Sequence, residues 1–301
     1  MEQTTSTITS RPTVNTSVPL LIFALLIVDS LHFIFARLLL PHLPPPVSAM
    51  LVIGIAAVEV GAFAVIRRKV SFAVFWQHRW FFLGVGLLVA ISTNINFQVV
   101  ALIDPGVAAL LAKTSTIFGL GFGVIWLRER LNRQQIIGSI LALIGVFIVA
   151  LQPGGDYLRW GSVLVLISMF LYALHTALVK QYGDEIDFIN FFLFRLLSTV
   201  GFMLLFTLAT QSLVWPTGQA WAILLAAGTI DVVISRSLYY LALRRLKLSI
   251  HSIILTLSPV LAVIWTVLLF QIRPTGQELL GGVAVLIGVL IVTMARAKSR
   301  A

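Results

Sequence analysis

Three charged residues lie far inside long apolar stretches of the sequence and are the first candidates for chemistry. Asp29, Lys113 and Asp231 each stand several residues away from the nearest polar segment. A charge at the centre of a bilayer costs about 2.5–3.5 kcal/mol on insertion scales, so each one needs a partner or a ligand. Charges of both signs at this depth suit a cavity for a zwitterion or a small anion. Permanent ion pairs that hold helices together would explain them equally well.

Other polar residues in the apolar stretches could complete such a site. Asn94 could offer hydrogen bonds, and Tyr172 and Tyr239 could stack on a ligand or bond to it. The alternatives are hydrogen bonds between helices for Asn94 and interfacial anchoring for the two tyrosines. Pro259 removes a helical hydrogen bond within an apolar stretch, which favours a gate. The expected substrate-binding residues are Asp29, Asn94, Lys113, Tyr172, Asp231 and Tyr239.

Two histidines and two arginines allow further expectations. His32 and His175 are candidates for proton coupling together with Asp29, because histidine titrates near neutral pH. Ordinary packing within a helix is the alternative for each histidine. Arg236 lies five residues after Asp231, which is about 140° around an α-helix, so we expect that the two cannot both point at one site. We expect Arg195 to reach a membrane surface.

The composition requires a membrane protein. The chain has 301 residues, of which 59% are hydrophobic and 11% are charged, whereas soluble domains carry roughly 25% charged residues. A water-soluble globule, a disordered chain and a nucleic-acid-binding protein are thereby excluded, in spite of a net charge of +10. One crossing takes roughly 20 residues, so the length predicts an all-α integral membrane protein with ten transmembrane helices. The predicted spans are 18–40, 47–66, 80–102, 105–127, 134–151, 160–180, 188–210, 220–243, 250–271 and 277–295.

The basic residues near the span ends predict the orientation. Fifteen lysines and arginines fall on one side of the predicted membrane, and two, Arg159 and Arg273, fall on the other. Positive residues concentrate on the cytoplasmic side of membrane proteins. We therefore expect both the tail 1–17 and the basic tail 296–301 to be cytoplasmic.

The sequence also repeats itself at an offset of 143 residues. Residues 143–149 read LIGVFIV and residues 286–292 read LIGVLIV, while Gly138 corresponds to Gly281 and His32 to His175. Each half holds five predicted spans, an odd number, so the second half must be inverted relative to the first. Inverted repeats are the architecture of many secondary transporters. The predicted domains are 18–151 and 160–295, two inverted five-helix repeats.

The most recognisable element is Leu127-Arg128-Glu129-Arg130-Leu131, followed by Gln135, Gly138 and Gly145-Val146. It resembles the element that joins the fourth and fifth spans of the EamA-type permeases, in the drug/metabolite transporter superfamily. The second half adds Ser258-Pro259, Gly281 and Gly288. Two positions depart from the family pattern: the residue of the first half that is equivalent to Pro259 is Thr116, and Arg273 is not preceded by a Glu. The resemblance implies a ten-helix carrier of two antiparallel halves. Such carriers are commonly exporters of small metabolites, here in a bacterial plasma (inner) membrane.

These observations favour a secondary active transporter that exports a small polar or zwitterionic metabolite, such as an amino acid, by alternating access. The 301 residues contain no Walker A motif, no cysteine and no H-E-x-x-H, so we expect neither an enzyme nor a cofactor. The expected partners are the substrate, the lipid bilayer and a coupling proton, with a homodimer left open. Two alternatives remain: a carrier of a lipid-linked substrate, and a redox protein that binds haem through His32 and His175.

Overall fold

The fold is built from apolar helices joined by short turns. The computed structural model describes residues 17–126, 131–151, 159–183, 185–245 and 255–298. In these residues nine helical stretches are long and apolar enough to cross a membrane, and a tenth apolar helix, Ser258–Phe270, is shorter. The prediction of an all-α, multi-pass membrane protein is confirmed. The sequence element at 127–130, the start of the predicted ninth span and most of both tails lie outside the described residues.

The helices are numbered here in chain order. The first seven are α1 (Ser17–Asp29), α2 (His32–Leu39), α3 (Pro45–Ile66), α4 (Phe72–Gln77), α5 (Arg79–Val99), α6 (Pro105–Ala112) and α7 (Ser115–Ile125). The others are α8 (Arg133–Ala150), α9 (Trp160–Tyr182), α10 (Phe188–Ala209), α11 (Gly218–Ala226), α12 (Ser235–Arg245), α13 (Ser258–Phe270) and α14 (Gly276–Lys298), with a π-helical segment, Ala227–Ile234, between α11 and α12.

Three of the predicted continuous spans are irregular near their middles. The predicted span 18–40 breaks between α1 and α2, and the predicted span 105–127 breaks between α6 and α7. At the second break Lys113 and Thr114 donate their backbone N–H groups three residues back, to Leu110 and Leu111. The predicted span 220–243 contains the π-helical segment, whose hydrogen bonds run from residue i to i+5. These irregularities expose backbone groups at a depth where only protein or water in a cavity can satisfy them.

Helices α8 and α14 pack closely against each other through glycines. A Cβ atom on Gly138 would stand 2.6 Å from the carbonyl oxygen of Gly288, and one on Gly145 would stand 2.6 Å from that of Gly281. The contact nearer the start of α8, at Gly138, is to the residue farther along α14, Gly288, and the later contact, at Gly145, is to the earlier Gly281. The two helices therefore run antiparallel. Small residues at such positions allow membrane helices to approach closely. This pair carries no ionisable residue of the cavity and serves as scaffold.

Candidate functional site

A polar cavity of about 220 Å³ lies between the irregular helices. Its lining comes from both halves of the chain, from residue 29 in α1 to residue 258 in α13. Four of the six residues predicted to bind substrate, Asp29, Lys113, Tyr172 and Asp231, are among the lining residues. The ionisable and phenolic lining residues are Asp29, His32, Lys113, Tyr172, Arg195, Asp231 and Arg236.

Asp29 and Lys113 form a loose ion pair at one part of the cavity wall. The Lys113 Nζ atom lies 3.8 Å from Asp29 Oδ2, and both side chains are about one-fifth to one-quarter exposed, at 20% and 25%. Lys113 Nζ also donates a hydrogen bond of 2.9 Å to Ser258 Oγ. Asp29 ends α1 and Lys113 follows α6, so two helix breaks bring the pair together. At 3.8 Å the carboxylate and the ammonium attract each other without a hydrogen bond of normal length.

His32 and Asp231 make a closer contact on another part of the wall. The Nδ1 atom of His32 lies 2.7 Å from Asp231 Oδ2, and Asp231 is only 8% exposed. His32 begins α2, directly after the first helix break, and Asp231 lies within the π-helical segment. The other ring nitrogen of His32 lies 3.5 Å from Asn96 Nδ2. His32 is therefore held from two sides by side chains of α5 and the π-helical segment.

The polar wall on α5 is formed by a different face from the one that the sequence predicts. Asn94 accepts a hydrogen bond of 2.7 Å from Gln98 Nε2 and does not line the cavity. Ser92 and Asn96, four residues apart on one helix face, line it instead. Their neighbour on α9 is Ser168, whose Oγ donates to Asn96 Oδ1 at 2.6 Å. Asn94 and Asn96 are two residues apart and so point to nearly opposite sides of the helix.

Asp231 and Arg236 both line the cavity, which corrects the expectation drawn from α-helical spacing. The expectation assumed 3.6 residues per turn. In the π-helical segment the backbone N–H of Ser235 bonds to the carbonyl of Ile230, five residues earlier. With i→i+5 bonding each turn holds more residues than in an α-helix, so side chains five residues apart lie closer to one face than they do in an α-helix. The wider turn thus brings Asp231 and Arg236 closer to one face. Arg195 on α10 also lines the cavity, although its place in the sequence favoured a membrane surface.

The remaining predicted residues fall outside the cavity lining or at its edge. Tyr239 packs against Leu21, Leu25 and Ala242 in a small apolar cluster between α1 and α12. His175 is 5% exposed, and its ring lies 5.3 Å from that of Tyr172, but it is not among the cavity-lining residues. Pro259 is the second residue of α13, next to the cavity residue Ser258. The roles predicted for these three residues stay predictions.

A second polar pocket, of about 410 Å³, lies at the helix ends where Arg159 and Arg273 meet Asp104. Arg159 pairs with Glu278 there. Burial raises the pKa of Asp104, and the nearby Glu278 raises it further, while Arg37 and Arg159 act in the opposite direction. Asp104 precedes α6 and lies outside the membrane-spanning stretches. In the part of the chain that the structure describes, no group of three or more His, Cys, Asp or Glu residues could hold a metal ion.

The model of the EamA-like transporter family matches this chain twice, at residues 16–151 and 159–294. The chain belongs to this family. The two matched segments together cover most of the sequence. The cavity receives Asp29, His32 and Lys113 from the first segment, and Tyr172, Asp231 and Arg236 from the second.

Individual relatives are distant and carry transporter names. An uncharacterized transporter of Synechocystis sp. is 22% identical over 70% of this chain and 65% of its own length. The uncharacterized transporter YetK of Bacillus subtilis is 24% identical over 83% of this chain and 76% of its own length. A riboflavin transporter of Vibrio cholerae is 27% identical over 42% of each chain. The chain thus spans less than two thirds of the Synechocystis and Vibrio relatives.

A solved crystal structure shares the fold. It has a TM-score of 0.63 at 18% sequence identity and covers 95% of this chain and 99% of that one.

Sequence reasoning did not select Arg195, Arg236 or Asn96 for the site. An i, i+4 pairing of Ser92 with Asn96 is visible in the sequence. For Arg236 the deciding feature is the π-helical turn, which α-helical spacing does not reveal.

Proposed function

We propose that this EamA-like protein is a secondary carrier that exports a small polar or zwitterionic metabolite by alternating access. The observation that carries the proposal is the cavity, in which acidic and basic side chains stand together at helix irregularities. Discontinuous membrane helices commonly form the binding sites of secondary transporters, because their unsatisfied backbone groups and charges face the substrate. Small metabolites of the amino-acid type carry both charges that such a wall can bind.

The repeated sequence and the packing of α8 against α14 support a ten-helix, inverted-repeat architecture. The offset of 143 residues maps Gly138 onto Gly281 and Gly145 onto Gly288. Gly138 packs against Gly288, and Gly145 packs against Gly281. If each glycine is replaced by its equivalent in the other half, the Gly138–Gly288 contact becomes the Gly281–Gly145 contact, and the reverse holds as well. A pair of antiparallel helices with exchanged equivalent contacts is what a two-fold axis in the membrane plane produces. In this architecture the two halves move against each other around the cavity.

The size and charge of the cavity favour a small, charged substrate. Pockets for drug-sized ligands measure roughly 300–1,000 Å³, and this cavity measures about 220 Å³. The Vibrio relative is named a riboflavin transporter, but riboflavin is a three-ring molecule without an ionised group near neutral pH. Riboflavin would therefore leave the Asp29–Lys113 and His32–Asp231 pairs of the cavity without an ionic partner in the substrate. A lipid-linked substrate, the second candidate, would need a lateral opening rather than a closed polar wall.

The asymmetry of basic residues supports cytoplasmic termini in a plasma (inner) membrane. Arg159 and Arg273 lie on the side with two basic residues, and both line the second polar pocket, which is called the outer polar pocket from here on. Arg67, Arg68 and Lys69, on the opposite side, follow the C-terminal end of α3. With this orientation the outer pocket faces the extracytoplasmic side. The direction of transport then follows from the family resemblance to exporters.

For coupling, two of the three residues that the sequence suggested, Asp29 and His32, line the cavity. His32 lies against Asp231 and Asn96, and the side chain is 30% exposed. Histidine changes its charge near neutral pH, so protonation would strengthen the contact with Asp231 and deprotonation would weaken it. An antiporter of this kind would use the inward proton gradient to drive export.

The first experiment is a ligand screen on the purified full chain in detergent, followed by counterflow in proteoliposomes. The screen uses amino acids, amines, nucleobases, sugar phosphates and riboflavin, and it records the thermal unfolding temperature. A ligand at 100 times its Kd adds about 2.7 kcal/mol to the stability. We expect stabilisation by a zwitterion, and labelled counterflow of the same compound. Stabilisation by riboflavin alone, or only by lipid-linked compounds, would contradict the proposal.

A further inference from the structure

The charged groups of the cavity do not balance one another. Each of the two acidic residues already has a basic neighbour, Lys113 for Asp29 and His32 for Asp231. The lining also holds two arginines, Arg195 on α10 and Arg236 after the π-helical segment. Among the described residues no carboxylate oxygen lies within ion-pair distance of the Arg236 guanidinium group. A guanidinium remains charged at every physiological pH.

An arginine at this depth with no counter-ion among the described residues requires an explanation. A charge in the middle of a membrane costs several kcal/mol unless it is paired or faces water in a cavity. The nearest described acids lie close enough to interact electrostatically with Arg236, as does Tyr172. They nevertheless make their short contacts to other residues. The cavity therefore presents a directional, permanently positive group to whatever enters it.

The π-helical segment is the reason that Arg236 is available. Residues 227–234 bond from i to i+5 and so wind more widely than an α-helix, and both Asp231 and Arg236 line the cavity. Gly228 of the segment packs closely on α3, where a Cβ atom would stand 2.7 Å from Ile55. The segment is therefore held in place by packing. π-helical turns of this kind occur frequently at functional sites.

We propose that Arg236 binds the carboxylate of the substrate while Asp29 receives its ammonium group. This inference rests on the proposed carrier function and specifies its substrate as an α-amino acid or a similar zwitterion. Arginine suits a carboxylate because its planar N–H groups form two parallel hydrogen bonds. The loose contact of Asp29 with Lys113, at 3.8 Å, leaves the carboxylate free to accept a hydrogen bond from an incoming ammonium.

The guanidinium of Arg236 offers one planar set of donors, which matches one carboxylate. A phosphate monoester carries about −1.5 to −2 at neutral pH and would engage Arg195, the second arginine of the lining, as well. Tyr172 stands near both Lys113 and Arg236 and can donate its hydroxyl to the same carboxylate. The proposed role of Arg236 thus predicts a preference for a free amino acid over an amine and over an amino acid amide.

The test compares free amino acids with their carboxamides on the full chain in detergent. The probes are the twenty proteinogenic L-amino acids, the amide of every amino acid that binds, and O-phosphoethanolamine. The proteins are the wild type, Arg236→Gln, Arg236→Lys and a control, Arg79→Gln, which changes an exposed arginine at the start of α5. Folding is verified by size-exclusion chromatography and by a cooperative unfolding transition for each protein.

We expect the wild type and Arg79→Gln to bind a free amino acid at least tenfold more tightly than its amide. Arg236→Gln should lose at least tenfold in affinity for the acid and keep the affinity for the amide. Arg236→Lys should retain part of the preference and show that the variants fold. Equal preference for the acid in Arg236→Gln and wild type would overturn the role of Arg236 and leave the carrier intact. Binding of O-phosphoethanolamine in place of amino acids would overturn the carboxylate assignment. If the wild type binds no zwitterion, both the inference and the proposed substrate class fail.

Discussion

The Nδ1 atom of His32 lies 2.7 Å from Asp231 Oδ2, and this contact joins the two segments of the chain that the family model matches separately. His32 belongs to the first segment and Asp231 to the second. Among the charge contacts that line the described cavity, it is the shortest. Any movement that opens the cavity by separating the two halves must stretch or break it. Its strength depends on the protonation of His32, because only the imidazolium forms a full ion pair.

Replacement of His32 should alter the pH dependence of transport. The charged groups near the ring are Asp231, Asp29 and Arg236, and the amide of Asn96 lies on its other nitrogen. We expect His32→Gln to remain folded and to transport with a rate that changes less than twofold between pH 6 and pH 8. The wild-type rate should change by several-fold over the same interval, because histidine titrates there. The measurement is counterflow in proteoliposomes with equal pH on both sides.

His175 provides the matched comparison for this experiment. Neither ring nitrogen of this buried histidine has a hydrogen-bond partner in the described structure. Replacement of a buried, unsatisfied polar group by an apolar group of similar shape is close to neutral or stabilising. We expect His175→Phe to keep the wild-type pH profile and a thermal unfolding temperature at or above that of the wild type. A flattened pH profile in His175→Phe would transfer the proton role from His32 to His175.

Lys113→Ala should abolish transport without unfolding the protein. The substitution leaves Asp29 as an acid without its neighbour and removes the hydrogen bond to Ser258 Oγ. An unpaired carboxylate in the cavity then binds a cation more strongly and releases the ammonium of a substrate more slowly. Counterflow should fall at least about tenfold, which corresponds to 1.4 kcal/mol. The control is Lys69→Ala, which alters an exposed lysine after α3. Wild-type transport by a folded Lys113→Ala protein would exclude Lys113 from the mechanism.

The sequence predicted the regular parts of this molecule better than the irregular ones. The apolar lengths and the prolines placed spans such as α3 and α10 within a few residues of their observed bounds. Depth in an apolar stretch also selected Asp29, Lys113 and Asp231, because ionisable residues are tolerated there only beside a cavity or a partner. The sequence did not separate Asn94 from Asn96, because both residues belong to one polar run; Asn96 lines the cavity and Asn94 does not.

The π-helical segment explains why Arg236 escaped sequence analysis. Residues 227–234 are rich in weak helix formers, but this composition does not specify i→i+5 bonding, and Gly228 of the segment packs on Ile55 and Val52. Such a turn depends on tertiary contacts rather than on local propensity. Tyr239 was selected from the sequence and lies outside the cavity lining. Regular α-helical spacing resumes at residue 235, and it places Tyr239 in an apolar cluster between α1 and α12.

The contact between α8 and α14 predicts a sharp difference between glycines. A Cβ atom on Gly145 would stand 2.6 Å from both Gly281 O and Val285 N, whereas one on Gly121 would meet nothing within 4 Å. Gly145→Ala should therefore destabilise the protein by about 1–3 kcal/mol through overpacking. Gly121→Ala should be neutral or stabilising by up to about 1 kcal/mol, because alanine favours the helix. Both are measured by thermal unfolding in the same detergent. Equal stability of the two variants would contradict the close packing of these helices.

The stability of the outer polar pocket should depend on pH through Asp104. Burial and the nearby Glu278 raise the pKa of Asp104, so the folded protein holds this proton more tightly than the unfolded chain does. Stability from this group is therefore present at low pH and lost as the pH rises through the folded-state pKa. Asn imitates the protonated form. At pH 7.5 we expect Asp104→Asn to unfold at a higher temperature than the wild type, by at most about 2 °C, because solvent screens a partly exposed carboxylate.

The difference in unfolding temperature between Asp104→Asn and the wild type should shrink toward zero as the pH is lowered, because the wild-type carboxyl then takes up its proton. The control is Glu185→Gln, which neutralises an exposed carboxylate between α9 and α10 and should show no such convergence. The opposite sign, with Asp104→Asn less stable at pH 7.5, would mean that Arg37 and Arg159 outweigh burial. In that case Asp104 would act as an ion-pair partner that stabilises the pocket while charged.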